Sequence, residues 1–134
     1  MAQTDYKICK YSDGTGSLAY VHVTCGVPPK STYYPGSKSY WKADGTQYYD
    51  GSERATWRFS AIPKAGVSAL RDICPGASAE VYIVTLTDDY TTGAETFKTY
   101  SALMHWPLDA HESRTKLGYY ENLVIEFTHL AVVT

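Results

Sequence analysis

Imidazole and carboxylate groups gather at one place in this chain, where His105, Asp109, His111 and Glu112 fall within eight residues. Nitrogen and oxygen donors of these types bind divalent metals, and a metal-bound water would open hydrolytic chemistry. The spacing argues against that use. His105 ends a strand-like run beside Trp106-Pro107, His111 lies in a polar stretch, and no His-Glu-x-x-His helix sets two ligands on one face. The expectation is no metal and no cofactor, with these side chains as solvated loop residues. His22 and His129 stand alone on strand-like runs and read as surface or edge residues.

Other catalytic patterns are missing as well. There is no Gly-x-Ser-x-Gly elbow, and no motif around Cys9, Cys25 or Cys74 marks an activated thiol. Three cysteines without a Cys-x-x-Cys pair argue against a disulfide framework or a structural zinc site. Gly14-Thr-Gly16 precedes a strand rather than a helix, so it is not a phosphate cradle. Asp88-Asp89 falls in a turn, where acidic residues serve backbone geometry. The chain is expected not to be an enzyme.

One stretch does look functional. Tyr33, Tyr34, Tyr40, Trp41, Tyr48 and Tyr49 are interleaved with Gly, Ser, Lys and Asp between Pro28 and Ser52. Tyr and Trp combine a large contact area with a polar tip and few rotatable bonds, which suits protein interfaces and sugar-stacking platforms. Six such rings in seventeen residues exceed what a loop needs to anchor itself on a sheet. Asp44-Gly45 and Asp50-Gly51 suggest turns on either side of a short strand at Thr46 to Tyr49, making residues 28–52 an aromatic-rich loop or projecting hairpin.

The elements that must position this stretch are mostly strands. Arg54 to Ile62 alternates, with Ala55, Trp57, Phe59 and Ala61 on one face. Lys64 to Cys74 switches to helical spacing through Val67, Leu70 and Cys74, and Pro75-Gly76 stops it. Ala79 to Thr87 returns to a period of two. Tyr6–Tyr11 and Ser17–Cys25 read as a hairpin around Asp13-Gly14, and in the second strand Ala19, Val21 and Val23 share a face. After a turn at Asp88 to Gly93, Glu95 to Trp106 alternates with Tyr100, Ala102, Met104 and Trp106 aligned, and 107–118 reads as a polar loop. In the last strand Tyr119, Leu123, Ile125 and Phe127 point one way, and the apolar set then changes parity to Leu130 and Val132, which predicts a bulge. Seven or eight strands against one short α-helix predict a mainly β fold, an antiparallel β-sandwich or partly closed barrel.

Length and charge narrow the classes further. With 134 residues the chain fits one domain that can bury a core without staples. A net charge of −2 leaves no basic footprint for nucleic acid or an anionic membrane. The start of the chain lacks a signal-peptide pattern and no apolar run is long enough to span a bilayer, so a reducing cytoplasm is the expected setting.

From Thr56 onward the order of features resembles small bacteriophage tail proteins of the distal-tail and minor tail subunit type. The matching pieces are a strand with Trp (Thr56-Trp-Arg-Phe59), a short Val-x-Ala-Leu-Arg helix (Val67 to Arg71), a strand ending in a Pro-Leu turn (Trp106-Pro-Leu108) and a terminal Tyr-x-x-x-Leu-x-Ile-x-Phe strand (Tyr119 to Phe127). The family's Asp-Gly hairpin followed by Phe-x-Val is replaced here by Thr92-Gly93 and Phe97-Lys-Thr-Tyr100, so connector, tail-tube and tail-terminator subunits stay open. The resemblance implies a ring-forming virion protein without catalytic residues. It would assemble in the host cytoplasm with copies of itself, six being one candidate ring order, and with neighbouring virion proteins. The alternative from another class is a carbohydrate-binding β-sandwich that uses Trp41, Tyr48 and Tyr49 as a stacking platform.

Overall fold

The computed structural model describes residues 5–34, 36, 38–87, 96–108 and 118–133. Strands dominate: β1 (Lys7–Lys10), β2 (Ala19–Tyr20), β3 (Lys30–Tyr34), β4 (Lys38–Trp41), β5 (Gln47–Asp50), β6 (Glu53–Pro63), β7 (Ser78–Thr87), β8 (Thr96–His105) and β9 (Tyr119–Val132). A helical turn, α1 (Val21–Thr24), and one longer helix, α2 (Lys64–Ile73), interrupt them. Seven strands form one antiparallel sheet in the order β2-β1-β7-β8-β9-β6-β3, and β4 and β5 form a separate two-stranded sheet. The large sheet is not closed. It turns one face inward, as a mainly β, sandwich-like fold.

The alternation read from sequence explains which face is inside. Ala55, Trp57 and Phe59 of β6 stand opposite Phe127, Ile125 and Leu123 of β9 and are all buried. Val81, Ile83 and Thr85 of β7 and Tyr100, Ala102 and Met104 of β8 complete the core. Trp57 ties the two halves together: its indole Nε1 donates to Thr85 Oγ1 at 2.9 Å, and its ring meets Phe127 edge-on at 4.7 Å. The buried indole N–H is thus satisfied, which keeps its burial from carrying a desolvation penalty. Across the open side of the sheet, the Tyr6 hydroxyl and Ser31 Oγ hydrogen-bond at 2.6 Å.

The helix α2 closes one end. Val67, Leu70 and Cys74 are buried at the expected spacing, and Arg71 Nη1 donates to the carbonyls of Cys74 and Gly76, each at 3.0 Å, satisfying acceptors just beyond the helix end. The Arg71 guanidinium also lies over the Trp106 ring, 4.7 Å from its centroid.

Four expectations need correction. The run Ser17–Cys25 is not a strand: only Ala19 and Tyr20 pair with β1, and the chain then coils into α1. Val21 and Cys25 are buried four residues apart while Val23 is 72% exposed, so tertiary packing of an i, i+4 pair overrides β-branched alternation. The structure therefore has a second helical element beside α2. Ala61 is exposed and Ile62 buried, because β6 and β9 change face together: Phe59 pairs with Leu123, Ile62 with Tyr120, and Asn122 adopts φ 54° between them. Asn tolerates that left-handed conformation better than most residues. For the same reason Tyr119 is exposed and Tyr120 packs against the core instead.

The bulge near the end of β9 is present. Between Leu130 and Phe127 the strand carries three steps against two on β6 (Glu53 to Ala55), and the same mismatch recurs on β8 between Ser101 and Leu103. His129 holds it at φ 56°. The shift brings Leu130 inward as expected, but leaves Val132 exposed. The turn expected at 88–93 and most of the loop at 107–118 lie outside the described residues.

Candidate functional site

The Tyr-rich segment divides into two parts with different roles. Its first part is β3, an integral strand of the large sheet paired with β6 from Lys30↔Arg58 to Tyr34↔Arg54. Tyr33 is half-buried, and its hydroxyl donates to Glu53 Oε1 at 2.7 Å. Burial, the Glu53 carboxylate and the neighbouring Tyr100 hydroxyl all push the Tyr33 phenol well above its usual range, so it stays a neutral donor. Burial also raises the pKa of Tyr100. Tyr34 carries the Arg54 guanidinium over its ring at 4.0 Å, and Arg54 Nη1 reaches Glu126 Oε1 at 3.8 Å. Both tyrosines named as interface candidates are thus engaged within the protein's own sheet.

The second part is the β4–β5 hairpin. Its register pairs Lys38 with Asp50, Ser39 with Tyr49, Tyr40 with Tyr48 and Trp41 with Gln47. The turn is built from local chemistry: Asp44 Oδ1 accepts from Thr46 Oγ1 at 2.6 Å and from its backbone N–H at 3.0 Å, and Gly45 supplies φ 89°. These Thr46 donors hold the Asp44 carboxyl below its usual pKa. Both Asp44-Gly45 and the strand after it were legible in the sequence. The hairpin shares no ladder with the large sheet. Tyr40 is exposed, and Trp41 is 76% exposed, a large apolar surface with one N–H donor presented to solvent.

The histidines form a different arrangement from the one the sequence suggested. Asp109, His111 and Glu112 lie outside the described residues. His105 is held at both ring nitrogens by hydroxyls, Nδ1 to Ser78 Oγ at 2.8 Å and Nε2 to Thr128 Oγ1 at 2.6 Å, and His129 Nδ1 meets the same Thr128 oxygen at 3.0 Å. This chain crosses β7, β8 and β9, and the sequence offered no signal for it, because its members are brought together only by strand register. Among the described residues no three His, Cys, Asp or Glu side chains gather as a metal site. His22 is half-buried on α1, not on a strand.

The three thiols are free and buried. Burial pushes Cys25 up to about 11 and raises Cys9 and Cys74, the latter despite the charge of Arg71. Buried, protonated thiols are poor nucleophiles. No described helix is long and apolar enough to cross a membrane. In comparisons with known proteins the chain matches no family model, no curated protein and no solved structure.

Proposed function

We propose that this protein is a non-enzymatic structural subunit that assembles with copies of itself into a closed ring, as in the tail or tail tip of a tailed bacteriophage. The observation that carries this reading is the β4–β5 hairpin: two strands hydrogen-bonded to each other and not to the main sheet, with Trp41 exposed beside its turn. A lone two-stranded hairpin is marginal in water, so it gains stability from a surface on which to pack. Trp is also the side chain that most often anchors an interface. Among the described residues β3 is the last strand of its sheet and the hairpin pairs only with itself, so their outer edges add sites where a neighbouring chain can extend a sheet. The virion setting is supported by the ordered resemblance from Thr56 to Phe127, and in this proposal other virion proteins surround the ring.

Sedimentation velocity tests the proposal. The intact protein is expected to form a discrete oligomer, and a variant with residues 38–50 replaced by a short Gly-Ser linker should be a folded monomer by circular dichroism. An intact protein that stays monomeric at every accessible concentration would overturn it. Exposure of the Trp41 ring favours the carbohydrate-binding reading as the runner-up, and saccharide binding by the monomer that is lost in Trp41→Ala would establish it instead.

A further inference from the structure

On the outer face of β7 and β8 the surface sinks into a trough. One depression of about 310 Å³ is lined by Tyr11, Glu80, Ser101, Ala102, Leu103 and His129. A second, of about 370 Å³, continues beyond Tyr11 toward the end of α2 and includes Lys10, Asp72 and again Glu80. Its walls come from separate devices. Residues 11–13 form a tight turn after β1 that stacks the Tyr11 ring on Tyr82 at 4.9 Å, and the β9 bulge turns His129 outward from the other side. The floor is the outward-facing Leu103 side chain. Among the described residues no ladder or helix covers this hollow, and ring assembly as proposed above gives it no role.

We infer that the trough receives the Trp41 end of the β4–β5 hairpin from a second copy of this chain, so that the ring closes by a head-to-tail contact. This rests on the assembly reading above. Three complementarities carry it. First, an indole needs an apolar floor and an acceptor for its one N–H; the trough offers Leu103 beneath and the Glu80 carboxylate and Ser101 hydroxyl beside. Second, both sides carry charges of both signs: Lys42 and Asp44 follow Trp41 on the hairpin, and Lys10, Asp72 and Glu80 line the trough. Third, Trp41 is 76% exposed, so its own chain's trough does not hold it. A contact between two different patches is heterologous, and repeated by a fixed rotation it generates a ring.

Mixing experiments test this directly. Trp41→Ala removes the knob and leaves the trough. Glu80→Lys, at an exposed position, reverses the trough's charge, and Ser101→Tyr fills the hollow from its side. Each variant alone is expected to lose the oligomer, with association at least about 30-fold weaker, the effect of a central anchor. An equimolar mixture of Trp41→Ala with either trough variant should form 1:1 heterodimers and nothing larger, because one intact knob and one intact trough remain per pair. Circular dichroism melts confirm that each variant folds, and the exposed Glu80→Lys keeps the test valid if Ser101→Tyr does not. Trough variants that assemble like the intact protein, or mixtures that stay monomeric, overturn the head-to-tail contact while leaving ring assembly standing. An intact protein that never assembles overturns both.

Discussion

Phe127 shows how much one side chain in this fold carries. It is fully buried, packs edge-on against Trp57 and sits opposite Ala55 on β6. Truncation leaves a cavity that neighbours held by strand register cannot fill, so Phe127→Ala is expected to cost about 3–5 kcal/mol. The exposed neighbour Glu126→Ala is the control in thermal melts, and it should shift the midpoint far less. The thiols give a second expectation at this scale. Cys25 has an ordinary pKa of 9.0 when unfolded and about 11 when folded, and Cys9, Cys74, Tyr33 and Tyr100 move in the same direction. Above pH 9 the unfolded chain loses the Cys25 proton before the folded one does. Stability from Cys25 is therefore whole below pH 9 and is lost as pH rises through about 11, and the other raised groups act with the same sign. Urea titrations at pH 8 and pH 10.5 check the sign, with the lower midpoint expected at pH 10.5.

At the scale of elements, one close approach joins the start of α2 to the residue that follows α1. Gly66 lies in the first turn of α2, and a Cβ there would come within 2.5 Å of the Cys25 carbonyl oxygen and 2.9 Å of Ile62. Helix propensity alone favours alanine over glycine by about 1 kcal/mol. Backbone cannot yield as a flexible side chain would, so Gly66→Ala is expected to destabilise by about 1–3 kcal/mol despite its better propensity. Chemical denaturation of Gly66→Ala beside Ala65→Gly separates the two effects: Ala65 is exposed, and its change reports propensity alone. Val21–Thr24 coils so that Val21 and Cys25 both turn into the core, with the Cys25 backbone against Gly66.

For the whole molecule, the division of the aromatic segment matters most. Residues 38–50 form their own small sheet, whereas β3 contributes Ser31 to Tyr6 and Tyr33 to Glu53. Replacing 38–50 by a short linker should leave the fold intact, because loop closure costs change slowly with length. Replacing 31–51 removes an entire strand and should give an unfolded or molten chain, a contrast that near-ultraviolet circular dichroism reads directly. Tyr33 and Tyr34 thus belong to the subunit's own sheet, while Trp41 stands exposed on the separate hairpin.

Sequence alone determined the strands whose two faces see different environments. Ala55, Trp57 and Phe59, then Leu123, Ile125 and Phe127, and the α2 stripe of Val67, Leu70 and Cys74 are all buried as their periods require. It also placed the Asp44-Gly45 turn and the β9 bulge, because Gly at positive φ and a break in parity are local signals. What only the tertiary structure decided depends on register between distant segments. The paired change of face at Phe59–Ile62 and Leu123–Tyr120 leaves no mark in either strand by itself, and Val21 to Thr24 alternates like a strand yet coils to fill space beside Gly66. The hydroxyl–imidazole chain of Ser78, His105, Thr128 and His129, and the trough between Tyr11, Glu80 and His129, are assembled by the order β1-β7-β8-β9, which local propensity does not encode. Aromatic density marked residues 33–49 as a unit, but hydrogen-bond pairing with β6 drew Tyr33 and Tyr34 into the sheet and left Trp41 outside.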